Sequence, residues 1–236
     1  MIALVHFRPA LGLPDPSPFV VKAMVLLKLA GQPYRSEHAT NPSKGPKGKL
    51  PAIRDGAETI GDSEIIRCHL ERKYGVDFDR GLDAAAKAVA HSFARMLEER
   101  TYWAMVHDRW IDDKHWPTVR AALFGGLPPV VRSLVPKIAR RQARRNLIAH
   151  GLGRHTTGEI AAMGTSDIRA VAAWLGDKPY FMGTEPTGAD ATVYAFVASV
   201  LVPPFATPMK AEILRHPNLV AYERRMRERF FKDTAT

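Results

Sequence analysis

At 236 residues and 46% hydrophobic, the chain has the composition of an ordinary globular protein and can bury one large core or two smaller ones. Its net charge of +10 admits a nucleic acid, an anionic surface or an acidic ligand as partner, while no apolar run approaches bilayer length and Met1–Val5 is too short for a secretory leader. Cys68 is the only cysteine, which excludes an intrachain disulfide and a Cys-x-x-Cys redox pair and makes a reducing compartment, the cytoplasm, the expected setting.

Ile2 to Phe7 is a short run of strand formers that stops at Arg8-Pro9, which predicts a buried first strand. Pro9, Gly12, Pro14, Pro16 and Pro18 then interrupt regular structure. From Phe19 the apolar residues Val20, Ala23, Met24, Leu26, Leu27 and Ala30 recur at helical spacing up to Gly31, with Ser17 at the N-cap and Pro18 at the first helical position. Tyr34 to Ala39 reads as a second strand, Asn41 to Gly48 as a basic Gly/Pro loop, and residues 50–54 and 57–60 as a hairpin turning at Asp55-Gly56. Ser63 to Tyr74 reads as a helix closed by Gly75, with Ile65, Ile66, His69 and Leu70 on or near its inner face and Cys68 as a small core residue.

Past residue 80 strand signals vanish. Helical patterns run over Ala84–His115, Thr118–Gly151, Thr157–Leu175, Thr187–Val202 and Met209–Phe230, so a domain boundary is expected between Phe78 and Asp83. Thr187-Gly188-Ala189-Asp190 has the spacing of a capping box. Arg132, Lys137, Arg140, Arg141, Arg144 and Arg145 crowd one helix among Leu134, Val135 and Ile138; this suits a solvated basic face, or contact with a membrane surface or nucleic-acid backbone. No nucleic-acid motif accompanies these charges. His107, Asp108, Asp112 and His115 depart from the His-Glu-x-x-His pattern, so a solvated charged helix is expected there and no metal.

The chemistry concentrates between Lys49 and Glu64. Pro51 stands at the mouth of one short strand, and Asp62-Ser63 ends the next where a helix begins, an arrangement that suits gripping a small peptide by its backbone and its charged terminus.

This ordered set, Leu50-Pro51, Asp62-Ser63 and the Thr187–Asp190 box around a β-α-β-β-β-α unit and a helical half, resembles the glutathione transferases. The resemblance implies an α/β thioredoxin-like N-terminal domain over residues 1–78 and an all-α C-terminal domain over 84–236. It further implies glutathione as co-substrate, a small electrophile as second substrate, and a homodimer. Leu50, ahead of a cis Pro51, would pair with the cysteinyl backbone of glutathione, and Asp62 and Ser63 would take its γ-glutamyl end. Lys49, or else Lys44 or Lys47, would meet the glycyl carboxylate. Ser17 would donate its hydroxyl to the sulfur: a thiol of pKa near 8.5 brought to about 7 becomes half ionised at neutral pH, worth roughly 2 kcal/mol. Phe7, Arg8, Tyr102, Trp103, Val106 and Arg109 would border the second substrate. The Pro-rich detour before Ser17, with Tyr34 after Ala30-Gly31, is most similar to the failed-axon-connections and metaxin branch. That branch includes adaptor and membrane-associated proteins, so a non-catalytic adaptor of the same fold is the alternative.

Overall fold

The computed structural model describes residues 1–39 and 42–232. Strands β1 (Ile2–His6), β2 (Tyr34–His38), β3 (Ala52–Asp55) and β4 (Glu58–Gly61) form one sheet in the order β2-β1-β3-β4. β1 and β2 run parallel, joined by helix α1 (Pro18–Leu29), while β3 is antiparallel to both β1 and β4. α2 (Ser63–Tyr74) closes this unit at Gly75, whose φ of +65° is the left-handed end that glycine adopts without penalty. Ile66, His69 and Leu70 of α2 are buried, but Ile65 and Cys68 face outward. Both corrections have one cause: α2 is covered on a single face, and those two positions lie on the next one.

After Asp83 every regular element among the described residues is a helix, apart from a single isolated bridge between Tyr180 and Gly183. One long helix comprises α3 (Ala84–Met96), a π-helical segment Leu97–Thr101, α4 (Tyr102–Val106) and a second π segment His107–Ile111. α5 (Trp116–Phe124), α6 (Pro129–His150), α7 (Thr157–Leu175), α8 (Gly188–Leu201), α9 (Pro208–Leu214) and α10 (Pro217–Phe231) follow. Two expected helices are thus divided: Gly125-Gly126-Leu127-Pro128 separates α5 from α6, and Arg215-His216 separates α9 from α10, each new helix starting on a proline at its first position.

α8 is buried from Gly188 to Val200 and packs across α1, whose residues from Val20 to Leu27 are also buried, so the core is continuous from the sheet unit into the helices. The Thr187 box forms as the spacing predicts. Asp190 accepts from the Thr187 N–H at 2.8 Å and the Phe181 N–H at 2.7 Å, and the Tyr222 hydroxyl adds a third bond at 2.9 Å. A second contact between the halves is ionic. Lys22, 1% exposed, donates to Glu64 at 2.7 Å and to Glu98 of the first π segment at 2.8 Å. The same segment carries Thr101, which donates to the buried Asp167 of α7 at 2.8 Å.

Candidate functional site

Strand register decides what meets at the site. Val5 of β1 stands opposite Ala52 at the start of β3, and Ala52 stands opposite Gly61 at the end of β4. One end of the sheet therefore presents the exit of β1, the Leu50–Pro51 bond before β3 and the Asp62-Ser63 pair after β4. Leu50–Pro51 is cis, and the Pro51 carbonyl accepts from the Asp62 N–H at 3.1 Å, so these two elements are coupled directly. Asp62 holds φ +84°, a backbone conformation uncommon for a residue with a Cβ, and its carboxylate accepts from the Glu64 N–H at 2.8 Å to cap α2. Ser63 is buried at the first position of α2.

The long loop from Phe7 returns to the same end. It turns through Leu11 (φ 59°) and Gly12 (φ 76°), and a Cβ at Gly12 would come within 3.0 Å of Val202 Cγ1, so glycine serves both the turn and the close approach. Asp15, wholly buried, organises the rest. Its carboxylate accepts from the Phe7 N–H and the Ser17 N–H, each at 2.8 Å, and meets His6 Nδ1 at 3.2 Å. Burial pushes its carboxyl up from the ordinary value, against the pull of His6 and the two N–H groups. Ser17 thus sits at the N-cap of α1 with its backbone anchored, half-buried, and its hydroxyl makes no capping bond to the helix. That hydroxyl, at a helix N-terminus, is a donor available to an anion.

Arg109 fixes the loop from the helical side. It is 6% exposed, and its guanidinium donates to the Pro16 carbonyl at 2.9 Å and to the Ser199 carbonyl, with burial pushing its pKa down to about 10 against Tyr102 and Asp108. The side chain expected to face a second substrate is thereby turned onto the backbone next to Ser17. Of the other residues expected there, Val106 is buried, Phe7, Tyr102 and Trp103 are half-buried, and Arg8 is exposed. Tyr102 packs edge-on against Phe19 at 5.0 Å and Trp103 at 5.2 Å, and Trp103 stacks on His150 at 4.9 Å. Lys47 and Lys49 are exposed in the loop before β3, Lys44 closes the short 3-10 turn Pro42–Lys44, and Asn41 lies outside the described residues.

The run from His107 to His115 corrects the expectation of a solvated face. His107 is buried, Asp108, Asp112 and His115 are half-buried, and His115 Nδ1 lies 2.9 Å from the Asp108 carbonyl, because the π turn rotates this stretch inward. Among the described residues no group of three or more His, Cys, Asp or Glu side chains is arranged to hold a metal. No described helix is long and apolar enough to cross a membrane.

Residues 18–115 match the family model of the glutathione S-transferase N-terminal domain, and residues 164–226 that of the C-terminal domain. The isoprene-epoxide glutathione S-transferase of Rhodococcus is 31% identical over 98% of this chain and 99% of its own length. The chain belongs to the glutathione S-transferase superfamily. Failed axon connections of Drosophila melanogaster is 31% identical over 99% of the chain, which spans only 59% of that protein, and metaxin-1 of Macaca fascicularis is 27% identical over 89% of the chain and 69% of its own length. These relatives place this transferase-superfamily chain in the metaxin-like branch. Among solved structures, a beta-etherase from Sphingobium superposes with a TM-score of 0.69 at 15% identity, covering 98% of this chain and 99% of that one. A Methylobacterium radiotolerans glutathione S-transferase in complex with glutathione sulfonate superposes with 0.62 at 19% identity, covering 99% and 94%. Both share the fold.

Proposed function

We propose that the protein binds glutathione at the sheet end formed by Leu50–Pro51, Asp62 and Ser63, and transfers its thiolate to a small electrophile with help from Ser17. The observation that carries this reading is the Ser17 hydroxyl: it stands at the N-cap of α1, free of any bond to the helix, on a loop pinned by Asp15 and Arg109. The backbone of Leu50 pairs with the cysteinyl unit, the start of α2 receives the γ-glutamyl carboxylate, Asp62 takes the ammonium, and Lys49 or a neighbouring lysine takes the glycyl carboxylate. The hydroxyl and the α1 N-terminus stabilise the sulfur anion.

The printed name of the Rhodococcus relative makes an epoxide the first electrophile to test. In that reaction the sulfur attacks a ring carbon, the carbon–oxygen bond breaks, and the resulting alkoxide takes a proton from solvent. The protein acts as a homodimer in a reducing compartment such as the cytoplasm, where glutathione stays a thiol.

Calorimetry with glutathione, the ultraviolet thiolate signal and conjugation of isoprene epoxide test the reading together. The wild type is expected to bind at millimolar glutathione, and Ser17→Ala to bind comparably while losing the thiolate signal at neutral pH and about 100-fold in kcat/KM. Absence of binding would sink the enzyme reading and favour the non-catalytic adaptor role that the metaxin and failed-axon-connections relatives suggest. Binding with an unaltered thiolate in Ser17→Ala would remove Ser17 from the chemistry alone.

A further inference from the structure

α6 contains no acidic residue in 22 positions, and its outward face is apolar where a solvated helix should be polar. Val130 (81% exposed), Leu134 (58%) and Ile138 (58%) line one stripe over its first half, flanked by the exposed Val131 and Val135. Helical spacing continues that stripe into Arg141 and Arg145, opposite the face that buries Pro136 and Leu147. Beside it, a groove of about 430 Å³ between α5 and α6 has Trp116 and Pro136 in its wall and Arg120, Lys137, Arg140, Arg141 and Arg144 around it.

Arg140 is spoken for. It donates to the carbonyls of Trp110 and Ile111, pairs with Asp113 at 2.6 Å and lies over Trp116. Arg120, Lys137, Arg141 and Arg145 have no ion-pair partner within salt-bridge distance among the described residues, and Arg144 only adds from a longer range to the pull of Arg140 on Asp113.

We infer that this face docks onto an anionic phospholipid bilayer. The five aliphatic side chains enter the headgroup boundary, the unpaired cations meet lipid phosphates, and the groove beside Trp116 accepts a headgroup. Charge and apolarity together select this occupant. A nucleic-acid backbone would use the cations but leave Val130, Leu134 and Ile138 against water, and a second copy packed face to face would bring unpaired like charges together. The inference is independent of the glutathione reading, since none of these residues belongs to the sheet-end site.

The test is co-sedimentation of the full chain with vesicles of phosphatidylcholine alone and of phosphatidylcholine with phosphatidylserine, at low and high salt. The protein should pellet with the phosphatidylserine vesicles at low salt and be released by high salt. The triple change Lys137→Glu, Arg141→Glu, Arg144→Glu should lower partitioning by more than about 100-fold, and Leu134→Asn with Ile138→Asn by about tenfold, the circular dichroism of both staying that of the wild type. In an Ile138→Trp variant the tryptophan emission should shift to the blue on adding the anionic vesicles and stay unchanged with the neutral ones. Absence of pelleting with anionic vesicles overturns the proposal. So does binding that Leu134→Asn with Ile138→Asn leaves intact, or a face that disperses dimers in ultracentrifugation when mutated yet ignores vesicles.

Discussion

Replacing Arg109 by methionine should separate stability from activity. The guanidinium is buried with no carboxylate within ion-pairing distance, and the fall of its pKa from 12.5 to about 10, which the charges of Tyr102 and Asp108 only partly oppose, corresponds to a burden on the order of 3 kcal/mol. Against this stand two hydrogen bonds from a charged donor, to the Pro16 and Ser199 carbonyls, each worth roughly 1.5–3 kcal/mol. The two contributions nearly cancel, so Arg109→Met should change stability by no more than about 3 kcal/mol, a melting shift of at most about 10 °C for a chain of this size. The loop loses its clasp next to Ser17, and misplacement of that hydroxyl by about 1 Å should lower kcat/KM for conjugation on the order of 100-fold. Arg109→Lys keeps a charge but cannot fork to both carbonyls, so it should recover little activity. Thermal melts and steady-state kinetics on the same preparations decide. A variant that keeps kcat/KM within about twofold of wild type at an unchanged melting temperature would refute the clasp, and one that fails to fold would refute the cancellation.

Two further changes probe how the sheet unit is held. Burial would raise the Asp55 carboxyl, but hydrogen bonds from Lys73, His69 and Tyr74 overturn that and hold it at about 2. On acidification the unfolded chain takes up this proton first, so stability should fall by about 2 kcal/mol between roughly pH 4 and 2, and Asp55→Asn should flatten that portion of a denaturation series. Lys22→Met removes one of the two cations on the buried Glu98, leaving Arg95 at 2.6 Å, and should cost about 2 kcal/mol by urea unfolding, less than the roughly 3–5 kcal/mol of a buried charge stripped of every partner, while adding Glu98→Leu should restore most of the loss. If the double variant is no more stable than the single one, the pair does not act through its charges.

What the sequence discloses follows the range of each signal. Ser17-Pro18 marks the start of α1 because cap preference and proline's fixed φ act within one turn, and Thr187–Asp190 and Gly75 are legible for the same reason. The break at Gly125–Pro129 was also written locally, in two glycines and two prolines, but the apolar rhythm resumes beyond it and a periodicity reading bridges it. The π segments leave no trace, since five residues are too few to distinguish their repeat from the α repeat. Hidden most deeply are Asp15, whose role depends on three separate donors, and Arg109, whose partner Pro16 lies 93 residues away. Their charges are visible in the sequence, but nothing local says that they are buried or what they face.

Each π segment in the long helix holds one residue more than an α turn of the same length would, which gives the helix one residue of slack at each. Five π residues turn the chain about as far as four α residues, so removing one residue from Leu97–Thr101 would let the backbone relax into ordinary α-helix and leave everything beyond it close to its present orientation, whereas one residue fewer in an α turn would turn everything beyond it by about 100°. The helix itself would survive and even gain regularity. Arg109 would keep its reach to Pro16, and Tyr102 its place against Phe19. The tolerance of this helix to a change of length therefore depends on where the change falls: a single-codon deletion inside a π segment would be absorbed with the Ser17 loop still latched, while one in an α turn ahead of Arg109 would unlatch it.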